Sequence, residues 1–286
     1  MTDLFDFKAL KRDYAVMGNP VAHSKSPAIH EMFANQCDVS LTYGRIQVDT
    51  GGFEQAVSHF VAHGGAGLNI TVPFKQDAWQ MCQRTPNTLT PGAMLAEAVN
   101  TIGIDNDGVV HGENTDGIGI TTDLQKNLQC ILKNKRILII GAGGAVRGVL
   151  APLLDSQPRT LTIVNRTAAK ATALAAHFND NGYEGISACS LDRVEQNYDV
   201  VINGTAASLA GELPGVAPNC IGASTLAYDM MYGAEPTLFM KWAKDLGAGK
   251  TCDGLGMLVE QAAASFNFWH GKSPDTAPVI SSLRKQ

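Results

Sequence analysis

The 286-residue chain has no run of basic residues, and its net charge is −5. That excludes the electrostatic footprint needed to hold nucleic acid or an anionic membrane surface. No apolar stretch is long and unbroken enough to span a bilayer. Met1 to Phe7 carry Asp3 and Asp6 and lack the basic-then-apolar pattern of a signal peptide, so a cytoplasmic protein is expected. Cys-x-x-Cys spacing is absent too. Cys37, Cys82, Cys130, Cys189, Cys220 and Cys252 lie far apart, which argues against zinc and redox pairs and for reduced, packed thiols. There is no internal repeat and no low-complexity linker. What remains is an ordinary globular composition, 45% hydrophobic and 17% charged, long enough for two modest domains. A small molecule is the expected partner, and the protein is expected to be a monomer or homodimer.

What is present centres on Arg136 to Thr167. Ile137 to Ile140 is an unbroken apolar run, the pattern of a parallel strand buried on both faces. Gly141-Ala142-Gly143-Gly144-Ala145 follows at once. Gly141 and Gly143 permit a tight turn and a close backbone approach to a phosphate. The segment after Gly144 reads as a helix whose free N–H groups point at that phosphate. Leu161 to Val164 is a second apolar run, completing strand–turn–helix–strand, the first unit of a dinucleotide fold.

The end of that second run decides which dinucleotide. An NAD site places Asp or Glu there to bind the ribose hydroxyls. This chain has Asn165-Arg166-Thr167, with Lys170 three residues later. Arg166 has the planar fork to stack on adenine and pair with a 2′-phosphate. A basic residue at a helix start opposes the helix dipole, which favours a phosphate partner. The reading is NADP.

Elsewhere strands and helices alternate, so both halves are α/β. Ser26 reads as a helix N-cap and Pro27 as the first helical residue. A later helix is expected to turn Ile120, Leu124, Leu128 and Ile131 inward and to link the two halves. His59 and His63 stand at i, i+4 with no third ligand, so surface histidines are expected rather than a metal site. Ser24, Ser26, Thr71, Lys75, Asn100 and Asp116 all fall just after strands, where open α/β sheets bind ligands. Together they suit a small polyhydroxy carboxylate: serines for the carboxylate, Asn and Asp for ring hydroxyls. Each also has a bland role open to it, as a helix cap, a strand end or a surface lysine.

The motifs Ser24-Lys25-Ser26-Pro27, Asn69 to Lys75, Ala98-Val99-Asn100-Thr101, Asn114-Thr115-Asp116-Gly117, Gly141 to Ala145, Asn165-Arg166-Thr167 and Asp253 to Val259 occur in this order. Together they resemble the shikimate dehydrogenases. The resemblance implies NADPH-dependent, reversible reduction of 3-dehydroshikimate to shikimate, in aromatic amino-acid biosynthesis. It implies Lys75 and Asp116 as the catalytic pair. It places Ser24, Ser26, Thr71, Asn100, Tyr232 and Gln261 around the substrate, and Met230 and Gly254 beside the nicotinamide. The fold expected is two α/β domains with a cleft between them. Residues 1–114 with 256–286 would bind substrate, and residues 115–255 would form a Rossmann-like NADP-binding domain. Lys170 stands where the family often has Arg, and Val146 where a smaller residue is common. The alternatives are a quinate/shikimate dehydrogenase using NAD and a non-catalytic NADP-responsive regulator on the same fold.

Overall fold

The computed structural model describes residues 12–194, 198–205, 207 and 211–285. The N-terminal stretch with Asp3 and Asp6 lies outside the described residues. The first half runs β1 (Arg12–Gly18), α1 (Ser26–Cys37), β2 (Leu41–Gln47), α2 (Phe53–Ala62), β3 (Gly65–Ile70), α3 (Lys75–Cys82), α4 (Pro91–Ala96), β4 (Thr101–Ile104), β5 (Val110–Glu113) and α5 (Asp116–Thr122). Its sheet has the order β2-β1-β3-β4-β5 among the described residues. β1 is parallel to β2 and β3, while β4 is antiparallel to β3 and to β5. The ends of β1, β3 and β5 and the start of β4 therefore meet at one edge of the sheet. Met17, Leu68, Ile70, Phe74 and Ile102 form the core on one face.

The second half runs β6 (Arg136–Ile140), α6 (Gly144–Asp155), β7 (Thr160–Val164), α7 (Ala168–Asp180), β8 (Ile186–Cys189), β9 (Val200–Asn203), β10 (Leu226–Asp229), α8 (Leu238–Asp245) and β11 (Lys250–Cys252). The sheet order is β11-β10-β9-β6-β7-β8, every pairing parallel. This is the doubly wound arrangement, and its direction reverses between β6 and β9, where a crevice opens past the strand ends. Ile137, Ile139, Leu161, Ile163, Val200 and Ile202 are buried in its core. These are the β-branched and leucine runs that a strand covered on both faces requires.

α9 (Leu255–His270) then returns to the first half, followed by α10 (Ala277–Leu283). Val259, Ala262 and Phe266 of α9 pack against Ile29 and Phe33 of α1. α5, α6 and α9 cross closely, because two positions of α5 lack side chains. A Cβ on Gly117 would stand 2.6 Å from the Gly148 carbonyl, and one on Gly119 would stand 2.7 Å from Gln261 Cβ.

Two sequence expectations fail here. Ser26 is the first residue of α1, not its N-cap. Lys25 occupies the cap position without a side-chain bond. Instead Ser24 Oγ accepts from the Ser26 N–H at 3.2 Å, so the serine two residues earlier tends the helix end. The linking helix also stops short of Ile131. After α5 the chain widens into a π turn over Asp123–Asn127, with Leu128 N–H bonded to Asp123 O at 2.9 Å. Asp123 anchors the turn by accepting the Tyr228 hydroxyl at 2.6 Å. Gln129 follows in the left-handed region, and Ile131 is left 75% exposed.

Candidate active site

The shared edge of the first sheet gathers the polar residues. β1 leads to Ser24 and Ser26, β3 to Thr71 and Lys75, and β5 to Asp116, whereas Asn100, expected after a strand, instead immediately precedes β4 and reaches the same edge because β4 runs antiparallel. Lys75 opens α3 and Asp116 opens α5, so each side chain points from a helix start into the same space. Lys75 Nζ lies 2.5 Å from Asp116 Oδ2, with the lysine side chain only 13% exposed. The other carboxylate oxygen accepts from Asn100 Nδ2 at 2.9 Å. Asn100 cannot turn over, because its Oδ1 accepts the Thr115 N–H at 2.8 Å. Gln261 closes the group from α9, with Oε1 3.3 Å from Asn100 Nδ2. Thr71 is half-buried, and its methyl packs over Gly18. Ser24 Oγ donates to Ser26 Oγ at 3.1 Å. Tyr232 comes from beyond β10 and is half-buried; burial raises its pKa.

The cofactor side is built differently. Gly141, at φ +119°, makes the turn after β6, and its N–H bonds Val164 O at 2.7 Å. That bond sets Gly141 beside Asn165 at the end of β7. Gly143 caps α6 without a side-chain bond, and a Cβ there would meet nothing within 4 Å. The helix N–H groups thus face open space suited to a pyrophosphate. Gly144 turns toward the other half: its added Cβ would lie 3.3 Å from Lys75 Cβ. Ala142 and Ala145 are half-buried along the same loop. Val146 is accommodated because Gly204 opposite it has no side chain. Arg166, Thr167 and Lys170 are exposed at the start of α7. Arg166 and Lys170 make no side-chain hydrogen bond or ion pair among the described residues. Asn165 Nδ2 braces this corner by donating to Thr167 O at 3.0 Å. Met230 and Gly254 meet beyond the ends of the adjacent strands β10 and β11, where a Cβ on Gly254 would lie 2.3 Å from the Met230 carbonyl.

Family models match three stretches of the chain. They are the shikimate dehydrogenase substrate binding domain over residues 16–102, shikimate / quinate 5-dehydrogenase over 123–210, and the shikimate 5'-dehydrogenase C-terminal domain over 254–284. The shikimate dehydrogenase (NADP(+)) of Marinobacter nauticus is 50% identical over 273 residues, covering 95% of this chain and 98% of its own. The chain belongs to the shikimate dehydrogenase family. Among solved structures, an Ael1 enzyme from Pseudomonas putida is similar at 40% identity and TM-score 0.86, over 96% of this chain and 98% of its own. The shikimate 5-dehydrogenase of Thermus thermophilus, solved with NADP(H) and shikimate, is similar at 29% identity and TM-score 0.82. It aligns over 96% of this chain and 99% of its own.

In this member of the shikimate dehydrogenase family, the sequence alone missed the residues that hold the site in place. Thr101, Thr115 and Ser265 join Asn100 and Gln261 in one buried network, with Thr101 Oγ1 2.7 Å from Ser265 Oγ. Asn114 caps the turn into α5, its Oδ1 accepting the Asp116 N–H at 3.1 Å. Thr101, Asn114 and Thr115 sit inside the recognised motifs. Ser265 was findable only as the residue one helical turn past Gln261.

Proposed function

We propose that Lys75 and Asp116 handle the proton in an NADP-dependent, reversible reduction of 3-dehydroshikimate to shikimate. The observation that carries this reading is the Lys75–Asp116 pair, 2.5 Å apart, with Lys75 Cβ directly beneath Gly144 of the dinucleotide loop. NADPH, when bound, supplies the hydride. Hydride addition to a ketone leaves an alkoxide, which needs a proton at once. The Lys75 ammonium gives that proton, and its neutral amine takes one back in the reverse direction. Asp116 is held on both oxygens, so its role is to aim Lys75 and to accept from a ring hydroxyl. Asn100, Thr71 and Gln261 offer the remaining polar contacts to the ring. Ser24 and Ser26, at the N-terminus of α1, take the carboxylate, with Tyr232 closing over their loop. Arg166 and Lys170 bind the 2′-phosphate, while Met230 and Gly254 line the nicotinamide side. The substrate half is assigned to residues 1–114 and 256–286, and the cofactor half to 115–255.

The protein acts as a monomer or homodimer in the cytoplasm, where its six free cysteines suit a reducing medium. The test is reduction of NADP⁺ and NAD⁺, each with shikimate and with quinate, side by side. Shikimate with NADP⁺ is expected to be the preferred pair. Preference for quinate or for NAD⁺, or no turnover at all, would contradict the reading.

A further inference from the structure

Ser24 is held by all three of its polar groups. Its N–H donates to Val21 O at 3.1 Å, and its hydroxyl oxygen accepts the Ser26 N–H. Both bonds stay within the loop. Its carbonyl is held from outside. Arg45, on β2, donates to that one oxygen twice, from Nε at 3.1 Å and from Nη2 at 2.6 Å. Two donors use both lone pairs of a carbonyl. Among the described residues, this fork is the one hydrogen-bonded tie between Ser24 and the sheet.

The strand that delivers Arg45 is itself fixed. Arg45 stands opposite Val16 in the register of β1 and β2. Two residues earlier, Tyr43 stacks on His30 of α1, with centroids 4.3 Å apart and 7° between planes. Its hydroxyl donates to Asn69 Oδ1 of β3 at 2.6 Å, and Asn69 Nδ2 donates to Ser265 Oγ of α9 at 2.9 Å. The Arg45 charge, by contrast, has no acidic partner: the residue makes no ion pair among the described residues. An arginine on an edge strand also blocks unwanted strand pairing. That duty does not require both donors on one carbonyl of the neighbouring loop. Covalent geometry keeps the Ser24 hydroxyl within about 7 Å of Arg45 Nη2, inside the Debye length of about 8 Å at physiological salt.

We propose that Arg45 is a substrate-positioning residue, which pins the Ser24 loop through its carbonyl and sets a positive charge behind the substrate carboxylate. The inference rests on the reading of Ser24 and Ser26 as the carboxylate clamp. Arg45 touches no reacting atom. It acts through Ser24 and through its field.

The test measures, by calorimetry, the Kd of shikimate and of its methyl ester, which has no carboxylate charge. Wild type, Ser24→Ala, Arg45→Gln and Arg45→Lys are compared at low and high salt. Ser24→Ala should weaken shikimate binding, which verifies the clamp itself. Arg45→Gln should raise the Kd of shikimate about 3- to 10-fold, the effect of one partly screened charge at this range. It should leave the Kd of the ester nearly unchanged and flatten the salt dependence of shikimate binding. Arg45→Lys keeps the charge and loses the fork, so its Kd should fall between wild type and Arg45→Gln. Suppose Ser24→Ala weakens shikimate binding while Arg45→Gln, folded by circular dichroism, keeps the wild-type Kd and salt slope. Arg45 then only guards the strand edge, and the inference is overturned. An equal rise for acid and ester would show a loosened loop without a charge effect, and would overturn it too. If Ser24→Ala binds shikimate as wild type does, the carboxylate reading fails and takes the inference with it.

Discussion

The two proposed ligand sites of this molecule are built on opposite principles. On the substrate side nearly every polar group already has a protein partner. Lys75 pairs with Asp116, Asp116 with Asn100, and Asn100 with Thr115 and Gln261. On the cofactor side the groups are left unengaged: an uncapped helix start at Gly143, and Arg166 and Lys170 exposed. The difference follows from what each site must do. A catalytic proton donor has to be held in one geometry, because a small displacement costs rate. A phosphate brings its own charge and is held by backbone N–H groups and cations that wait for it. On the proposed assignment, preorganised pairing goes with the chemistry and unpaired cations with the anchor.

Breaking the paired side should cost most. Lys75→Ala is expected to lower kcat by about 10²–10⁴-fold, the usual contribution of a positioned general acid–base. Asp116→Asn should harm kcat and the KM for shikimate together, since it removes an orienting and a binding contact at once. Steady-state kinetics in both directions measures both.

Breaking the unpaired side should cost less and fall on one ligand. Arg166→Ala should raise the KM for NADP about 10- to 150-fold, the worth of a charge-assisted contact of about 1.5–3 kcal/mol. The KM for NAD should barely move. Equal losses for both cofactors would mean that Arg166 stacks on adenine or supports the fold rather than reading the phosphate.

The braced side should also be the pH-sensitive one. Burial takes the His30 pKa down from 6.5 to about 3, so the fold holds this ring neutral. Between those values the unfolded chain binds a proton that the folded chain refuses. Stability from this group is therefore complete above about 6.5 and is lost progressively as pH falls toward 3. Going from pH 7 to pH 5 should cost about 2 kcal/mol, roughly 30-fold in the folding equilibrium. Urea unfolding at both pH values, for wild type and His30→Gln, checks it: the variant should lose less on acidification.

A smaller change sharpens the contrast. Lys170→Arg, which offers a fork in place of a point charge, should tighten NADP by about two- to fivefold and leave shikimate binding alone. Isothermal titration with NADP⁺ would show it.

Much of the fold was legible in the sequence. Ile137 to Ile140 and Leu161 to Val164 are the short apolar runs expected of a buried parallel strand, and both are strands of the second sheet. The glycine loop and the basic corner at Arg166 were readable because their chemistry is local. Each needs only neighbours in the chain. Misreadings arose where a tertiary contact overrode the local pattern. Asp123, held by Tyr228 from β10, widened a helix and expelled Ile131 to the surface. The start of α1 is a local exception, where Ser24, two residues away, and not Ser26 takes the bond. The bracing of the substrate side was illegible because it is tertiary. His30, Tyr43, Asn69 and Ser265 lie up to 196 residues from their partners, as for Asn69 and Ser265, and no spacing rule joins them.

The central claim is that Lys75 moves a proton rather than grips the substrate. The measurement that reaches it most directly is the calorimetric affinity of Lys75→Ala for shikimate, set beside the turnover of the same preparation. The account predicts that shikimate binds within a few-fold of the wild-type value while turnover is almost lost. Affinity reduced as much as turnover, or near-normal kcat with only a raised KM, would make Lys75 a binding residue and put the proton donor elsewhere.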